Sequence, residues 1–233
     1  MPQGPSEGGP GRRRRIRGLD AEERRAQRRG LLLDAALDQI AARGYHNTSI
    51  EQICRAAGVS TKSFYECFES REACYLALLQ RTTDRIAAHM VERLQQAPTD
   101  ERAATPELLA AFAHALVDDP RFALATFGAA AGVSPAVERQ RRVNRRWAAG
   151  FLEELWKYYG AIGPTVAVGQ AHNVAIGAIG GMFDLVADWL QDSDPADPLA
   201  VDSLIRRLTD FYLAVRSGLG DLRLPPHSAD RTE

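Results

Sequence analysis

Lysine is scarce in this sequence. Only Lys62 and Lys157 stand among 29 basic residues, a bias that, with heavy use of alanine, reads as the mark of GC-rich coding DNA rather than of function. Cysteine is scarce too: Cys54, Cys67 and Cys74 are too few for a disulfide scaffold and suit a reducing compartment. They show no C-x-x-C spacing, and there is no H-E-x-x-H, no G-x-S-x-G and no phosphate-cradling glycine loop. No cofactor and no metal is therefore expected, and no enzyme is indicated. The longest apolar run, Val174 to Phe183, is far short of the roughly 20 residues that span a bilayer. The basic cluster near the N-terminus is not followed by the apolar stretch of a secretory signal. A cytoplasmic protein with no membrane partner is expected. A net charge of −1 also argues against a protein that coats DNA indifferently to sequence, which would need a far more basic chain.

What charge there is divides unevenly. Residues 1–75 hold thirteen Lys/Arg against ten Asp/Glu, and the remainder sixteen against twenty, so a front of +3 precedes a back of −4. Residues 1–18, with Arg12, Arg13, Arg14, Arg15 and Arg17, are too rich in Gly, Pro and Arg to bury a core and are expected to be a disordered basic arm.

From there the periodicity is helical throughout. A first helix is expected from an N-cap at Asp20 to about Arg43, with Leu33, Ala36, Leu37, Ile40 and Ala41 on its buried face and Gly44 ending it. Short helices follow at about 49–56, capped by Thr48 or Ser49, and from Ser60 or Thr61 to about Phe68. A longer one runs from Ser70 to about Gln95. Further helices are expected at about 106–118, 120–131, 135–159, 164–191 and 198–218, each with a proline near its start, where the missing N–H does no harm. The count is nine helices with no strand: an all-α, two-domain chain with a disordered tail after about Asp221.

The stretch from Ser49 to Phe68 carries the chemistry. Two short helices meet at Ala57-Gly58-Val59-Ser60, where Gly58 supplies the positive φ of a tight turn. Cys54 is small enough for a close crossing, with Ile50, Ile53, Val59, Phe64 and Phe68 facing inward. Ser60, Thr61, Lys62 and Ser63 then occupy the first turn of the second helix. A hairpin built only for a core has no reason to present those four polar residues together. A recognition helix entering the major groove by its N-terminal turn does.

Residues 26–86 resemble the DNA-binding domain of the tetracycline-repressor-like (TetR) family. The likeness lies in Leu33, Ala36, Leu37, Gly44-Tyr45, Thr48-Ser49, Ile53, Ala57-Gly58-Val59-Ser60, Phe64-Tyr65, Phe68 and Ser70-Arg71-Glu72. Cys54 stands where the family usually has alanine, and Cys67 where it often has histidine. The resemblance implies a homodimeric regulator on palindromic double-stranded operator DNA, most often a repressor released by a small-molecule inducer. It implies that Thr61, Lys62 and Ser63 reach base edges, with Ser60 at the head of the same turn. Tyr65, Thr48, Ser49 and Arg71 would bind phosphate, and the arm Arg12–Arg17 has a minor-groove role as one of its two readings.

For residues 87–220 the resemblance implies a ligand-binding and dimerisation domain. Helices 164–191 (Ile176, Ile179, Gly180, Phe183, Ala187, Leu190) and 198–218 (Leu204, Leu208, Phe211, Tyr212, Val215) would form a four-helix interface, with Gly177, Gly180 and Gly181 permitting close approach. Candidate cavity residues are Phe112, Phe127, Trp147, Phe151, His172, Asn173 and Phe183, the His172-Asn173 pair being the expected polar anchor. The arginines Arg139, Arg141, Arg142, Arg145 and Arg146 read either as a solvated face or as a preference for an acidic ligand. Two rivals remain at this point: a thiol-redox regulator using Cys54, Cys67 or Cys74, and a metal enzyme built around His89 and Glu92.

Overall fold

The computed structural model describes residues 21–128, 132–162 and 169–221; the basic arm, Asp20, Pro164 and the tail from residue 222 lie outside them. Among the described residues there are nine α-helices and no strand. They are α1 (Ala21–Arg43), α2 (Ile50–Ala57), α3 (Thr61–Cys67), α4 (Arg71–Gln96), α5 (Glu101–Val117), α6 (Pro120–Ala123), α7 (Pro135–Tyr158), α8 (Gln170–Asp192) and α9 (Pro198–Gly218). A π-helical turn, Leu124–Gly128, continues α6.

The helix starts are local chemistry. Ser49, Ser60, Ser70 and Ser134 each accept a backbone N–H from three residues on, satisfying donors the helix itself leaves open. At α2 the cap is reciprocal, because the Gln52 side chain accepts the Ser49 N–H at 2.7 Å. Gly58 ends α2 at φ 65°, and the N–H groups of Gly58 and Val59 turn back to Arg55 and Cys54.

Two buried clusters organise the chain. The first joins α1 to α4, with Leu32, Leu37, Ile40, Ile53, Phe64 and Tyr75 at its centre, and is completed by Phe122, Ala125 and Val137 from α6, the π turn and α7. The second joins α5, α7, α8 and α9 around Trp156, Trp189, Leu204 and Leu208. Helix α4 belongs to both: Leu78 and Leu79 lie in the first, whereas Ile86 and Met90 pack against the second.

Several expectations are corrected. α1 buries Leu32 and Ala35 as well as the expected stripe, and Ala41 less, because α2, α3, α4 and α6 surround it. α5 starts at Glu101, capped by Asp100, so that Pro106 lies inside the helix rather than at its head. Of the expected helix 120–131, the described part is one α-helical turn followed by the π turn to Gly128, and of the expected helix 164–191, residues 164–168 lie outside the described residues and α8 follows its N-cap Gly169 from Gln170.

The face proposed for dimerisation divides. On α9, Leu204, Leu208 and Tyr212 are buried within their own chain. Gly181 is where α8 and α9 meet: a Cβ there would lie 2.5 Å from the Phe211 ring, whereas Gly177 is open. On α8, Ile176, Gly180, Phe183, Ala187 and Leu190 stay half-exposed beside a separate core face of Ala171, Ala175, Ala178, Met182, Val186 and Trp189. By length and composition α8 is apolar enough to cross a membrane, although no single run of its sequence is; only 33% of its most apolar stretch is buried in the chain. It also carries Asp184, Asp188 and Asp192, and its core face is packed against α7 and α9.

Candidate functional site

Ser60, Thr61, Lys62 and Tyr65 are exposed and Ser63 half-buried on one side of α3, while Phe64 and Phe68 anchor the other side in the core. Tyr65 stands edge-on to Phe64 with ring centroids 5.6 Å apart, and is 56% exposed. The Ser60 hydroxyl is committed to capping, accepting the Ser63 N–H at 3.1 Å and pairing with the Ser63 hydroxyl. Thr61, Lys62 and Tyr65 are thus the side chains left to face a groove.

The phosphate-binding set implied by the resemblance does not hold throughout. Thr48 is wholly buried, and its hydroxyl faces the carbonyls of Gly44 at 2.9 Å and Gln39 at 3.2 Å. It ties the α1–α2 turn to α1 and presents nothing to a phosphate. Ser49 spends its N–H and hydroxyl in the capping box, so the free N–H groups of the α2 start are fewer than expected. Arg71 lies over the Tyr45 ring at 4.4 Å and donates to the Thr48 carbonyl, so that it braces the turn; only its remaining N–H groups are left for a phosphate. A Thr48→Ala variant is expected to lose about 1–2 kcal/mol of stability. It should leave DNA affinity at fixed salt unchanged. A loss of about tenfold or more on operator and scrambled duplexes alike, with the chain still folded, would restore Thr48 as a phosphate contact.

Sequence reasoning missed the residues that hold α3 from behind. Arg29 donates to the Cys67 carbonyl at 3.2 Å and lies over the Phe68 ring at 4.3 Å, and Arg28 approaches Glu66 at 3.5 Å. Their partners are 38 residues away, with no local signal linking them.

Two of the three cysteines stand against the thiol-redox reading, and Cys67 is half-buried with its thiol 4.0 Å from the Arg25 carbonyl. Cys54 and Cys74 are buried, and burial pushes the Cys74 thiol up to about 12 and raises Cys54 as well. Both are held as the unreactive thiol at neutral pH. Among the described residues no three His, Cys, Asp or Glu are grouped to hold a metal ion.

Beyond α4, two adjoining cavities open between α4, α5, α7 and α8. The first, about 80 Å³, is lined almost wholly by apolar side chains, including Met90, Leu109, Phe112, Trp147, Phe151 and Met182. The second, about 70 Å³, shares Ile86, Phe112, Trp147 and Ala148 with it and adds Phe127, Phe183, Thr126, Asn144, Arg141 and Arg145. Both are smaller than the roughly 300–1,000 Å³ of drug-sized sites. Phe112, Phe127, Trp147, Phe151 and Phe183 line these cavities. His172 and Asn173 do not. Asn173 is exposed and His172 faces Glu153 on α7 at 3.1 Å, because the core face of α8 runs through Ala171 and Ala175 instead. Of the arginine cluster, Arg139, Arg142 and Arg146 face solvent while Arg141 and Arg145 turn inward.

The second cavity touches the first core through the π turn. Thr126 and Phe127 line the cavity, and next to them the Ala125 carbonyl accepts the buried Tyr75 hydroxyl at 2.7 Å. The Tyr75 ring packs 4.9 Å from that of Tyr45, on which Arg71 lies. A continuous set of contacts thus runs from the cavity wall to the turn before α2.

Residues 32–78 match the family described as "Bacterial regulatory proteins, tetR family". Over 187 residues, 80% of this chain and 82% of the relative, the sequence is 28% identical to the HTH-type transcriptional activator FasR of Mycolicibacterium smegmatis. The fold is similar to that of the fatty acid degradation regulator FadR of Bacillus halodurans, with a TM-score of 0.65 and 20% identity over 82% of this chain and 96% of that one. FadR of Bacillus subtilis, solved in complex with stearoyl-CoA, is likewise similar, with a TM-score of 0.55 and 21% identity over 78% of this chain and 98% of that one.

Proposed function

We propose that this chain, which carries the TetR-family DNA-binding segment and resembles the regulator FasR along most of its length, acts as a cytoplasmic homodimer on a palindromic operator, switched by a ligand with a long aliphatic chain. One observation carries the reading. A single helix, α4, starts at the base of the DNA-reading unit with Arg71 and lines the cavities further on with Thr82, Thr83, Ile86 and Met90. Residues 26–86 are the reading unit in this proposal, with Thr61 and Lys62 directed to base edges and Tyr65 to phosphate, the Ser63 hydroxyl being paired with that of Ser60. Residues 87–220 bind ligand and partner. The dimer forms through the half-exposed stripe of α8 and the outer side of α9, because an apolar helix left two-thirds unburied is stabilised by a second copy.

The almost wholly apolar first cavity supports an aliphatic chain, as does the stearoyl-CoA bound by FadR of Bacillus subtilis. A ligand seated there shifts the equilibrium only if it binds one arrangement of the two reading units better than the other. The π turn, Tyr75, Tyr45 and Arg71 are the contacts that transmit it. Removal of the operator-bound dimer from a promoter is derepression; FasR, named an activator, favours a second reading in which the bound dimer assists transcription.

The test is a selection of DNA fragments bound by the full chain, followed by titration and in vitro transcription with and without a C12–C18 ligand. Two chains per palindrome, specific affinity on the order of 10⁻⁸–10⁻¹¹ M and a ligand-dependent change are expected. Absence of any preferred sequence overturns the reading. Tyr75→Phe should bind DNA but respond less to ligand, since the Ala125 carbonyl loses its partner.

A further inference from the structure

Among the described residues, Arg145 is a cation without a counterion. It lies on the inner side of α7, its Nε is buried with no hydrogen-bond partner, and it forms no ion pair among the described residues. Its side chain packs against α8 at Gly180, where a Cβ would lie 3.9 Å from the Nε. One helical turn before it, Arg141 reaches Glu138 through a single 3.3 Å contact, which leaves most of its guanidinium uncommitted. Between them Asn144 accepts from Gln140 at 2.8 Å, and its own amide N–H groups have no acceptor among the described residues. All three line the second cavity, and none of the described residues around that cavity is acidic.

A guanidinium N–H taken out of water without a partner is unfavourable, and the half-exposed remainder of the Arg145 side chain leaves room for an anion to complete the site. Arginine forks suit the paired oxygens of a carboxylate or phosphate. The shared wall of Ile86, Phe112, Trp147 and Ala148 joins this polar compartment to the apolar one.

We propose that Arg145, with Arg141 and Asn144, is an anion-binding subsite that holds the acidic end of the ligand while its aliphatic chain lies in the neighbouring apolar cavity. The proposal rests on the ligand-switched reading above. It adds an orientation and a requirement for charge: a neutral chain of equal length is a poor effector. The solvent-facing Arg139, Arg142 and Arg146 have no part in it.

Dodecanoate, dodecanoyl-CoA and dodecanol are titrated into the full-length protein by calorimetry, with the intrinsic tryptophan fluorescence, to which the cavity-lining Trp147 contributes, as a second readout. Wild type is expected to bind at least one acidic probe about 10- to 100-fold more tightly than the alcohol, the scale of a charge-assisted contact. Tight dodecanoate identifies a carboxylate as the anion; tight dodecanoyl-CoA alone identifies the phosphates. Arg145→Met should abolish the preference while still binding dodecanol, and Arg145→Lys should keep part of it. Equal binding of acid and alcohol by wild type, or a preference that survives in Arg145→Met, overturns the subsite and leaves the apolar cavity standing. If none of the three probes binds, the ligand reading itself fails.

Discussion

A chain carrying Lys62→Ala and Tyr65→Ala loses specific operator binding by at least about a thousandfold at fixed salt while keeping its fold. A base-edge contact is worth about 1–3 kcal/mol of discrimination, and a two-fold dimer loses each contact twice. Four lost contacts of about 1 kcal/mol or more reach about 4 kcal/mol, close to three decades in affinity. The fold survives because both side chains are exposed, and Phe64, which lies between them in sequence, is the buried anchor. The single variants separate the roles. Lys62→Ala relaxes selectivity at one base position of each half-site, whereas Tyr65→Phe weakens binding on every sequence alike. Fluorescence anisotropy on operator and scrambled duplexes, with a thermal melt of each variant, measures all of this. Specific affinity kept within threefold in the double variant removes α3 as the reading element.

Trp156→Ala is expected to destabilise the chain by about 3–5 kcal/mol, the usual cost of emptying an aromatic site in a packed core. Trp156 has no exposed surface, and its indole N–H donates to the Tyr212 hydroxyl at 3.2 Å, joining α7 to α9. Its removal takes both the packed volume and a partner of a buried hydroxyl. At about 2–4 °C per kcal/mol for a chain of this size, the melting temperature should fall by roughly 6–20 °C. Trp156→Phe keeps most of the volume and should cost much less. A melt of Trp156→Ala within 2 °C of wild type would mean that the second core does not depend on this residue. Because Tyr212 also lines the apolar cavity, the same variant should enlarge it and weaken discrimination by chain length.

The starts and stops of the reading unit were legible because their causes lie within a few residues. Ser49 with Gln52, Ser60 with Ser63, and Gly58 at positive φ are arrangements that a cap or a tight turn dictates wherever the chain is placed. The same holds for the exposed polar turn of α3 between buried phenylalanines. The aromatic residues of the cavity were legible as apolar positions on helix faces, but their meeting at one place came only from packing.

What tertiary structure alone decided is which of two faces a residue serves. Thr48 looks like a phosphate-binding cap beside Ser49, yet the close return of α1 leaves its hydroxyl facing two carbonyls. His172 looks like a polar anchor in an apolar helix, yet a rotation of α8 set by Ala171 and Ala175 turns it to Glu153. Leu204, Leu208 and Tyr212 have the periodicity of an interface, but periodicity does not say whether the facing helix belongs to the same chain. Arg141 and Arg145 could not be told from Arg139, Arg142 and Arg146 in a run of arginines. The sequence by itself determined a helical chain with a helix-turn-helix whose second helix, α3, presents a polar first turn; the packing of helices distant in sequence decided which side chains stay exposed, because burial depends on what lies opposite and local pattern does not contain it.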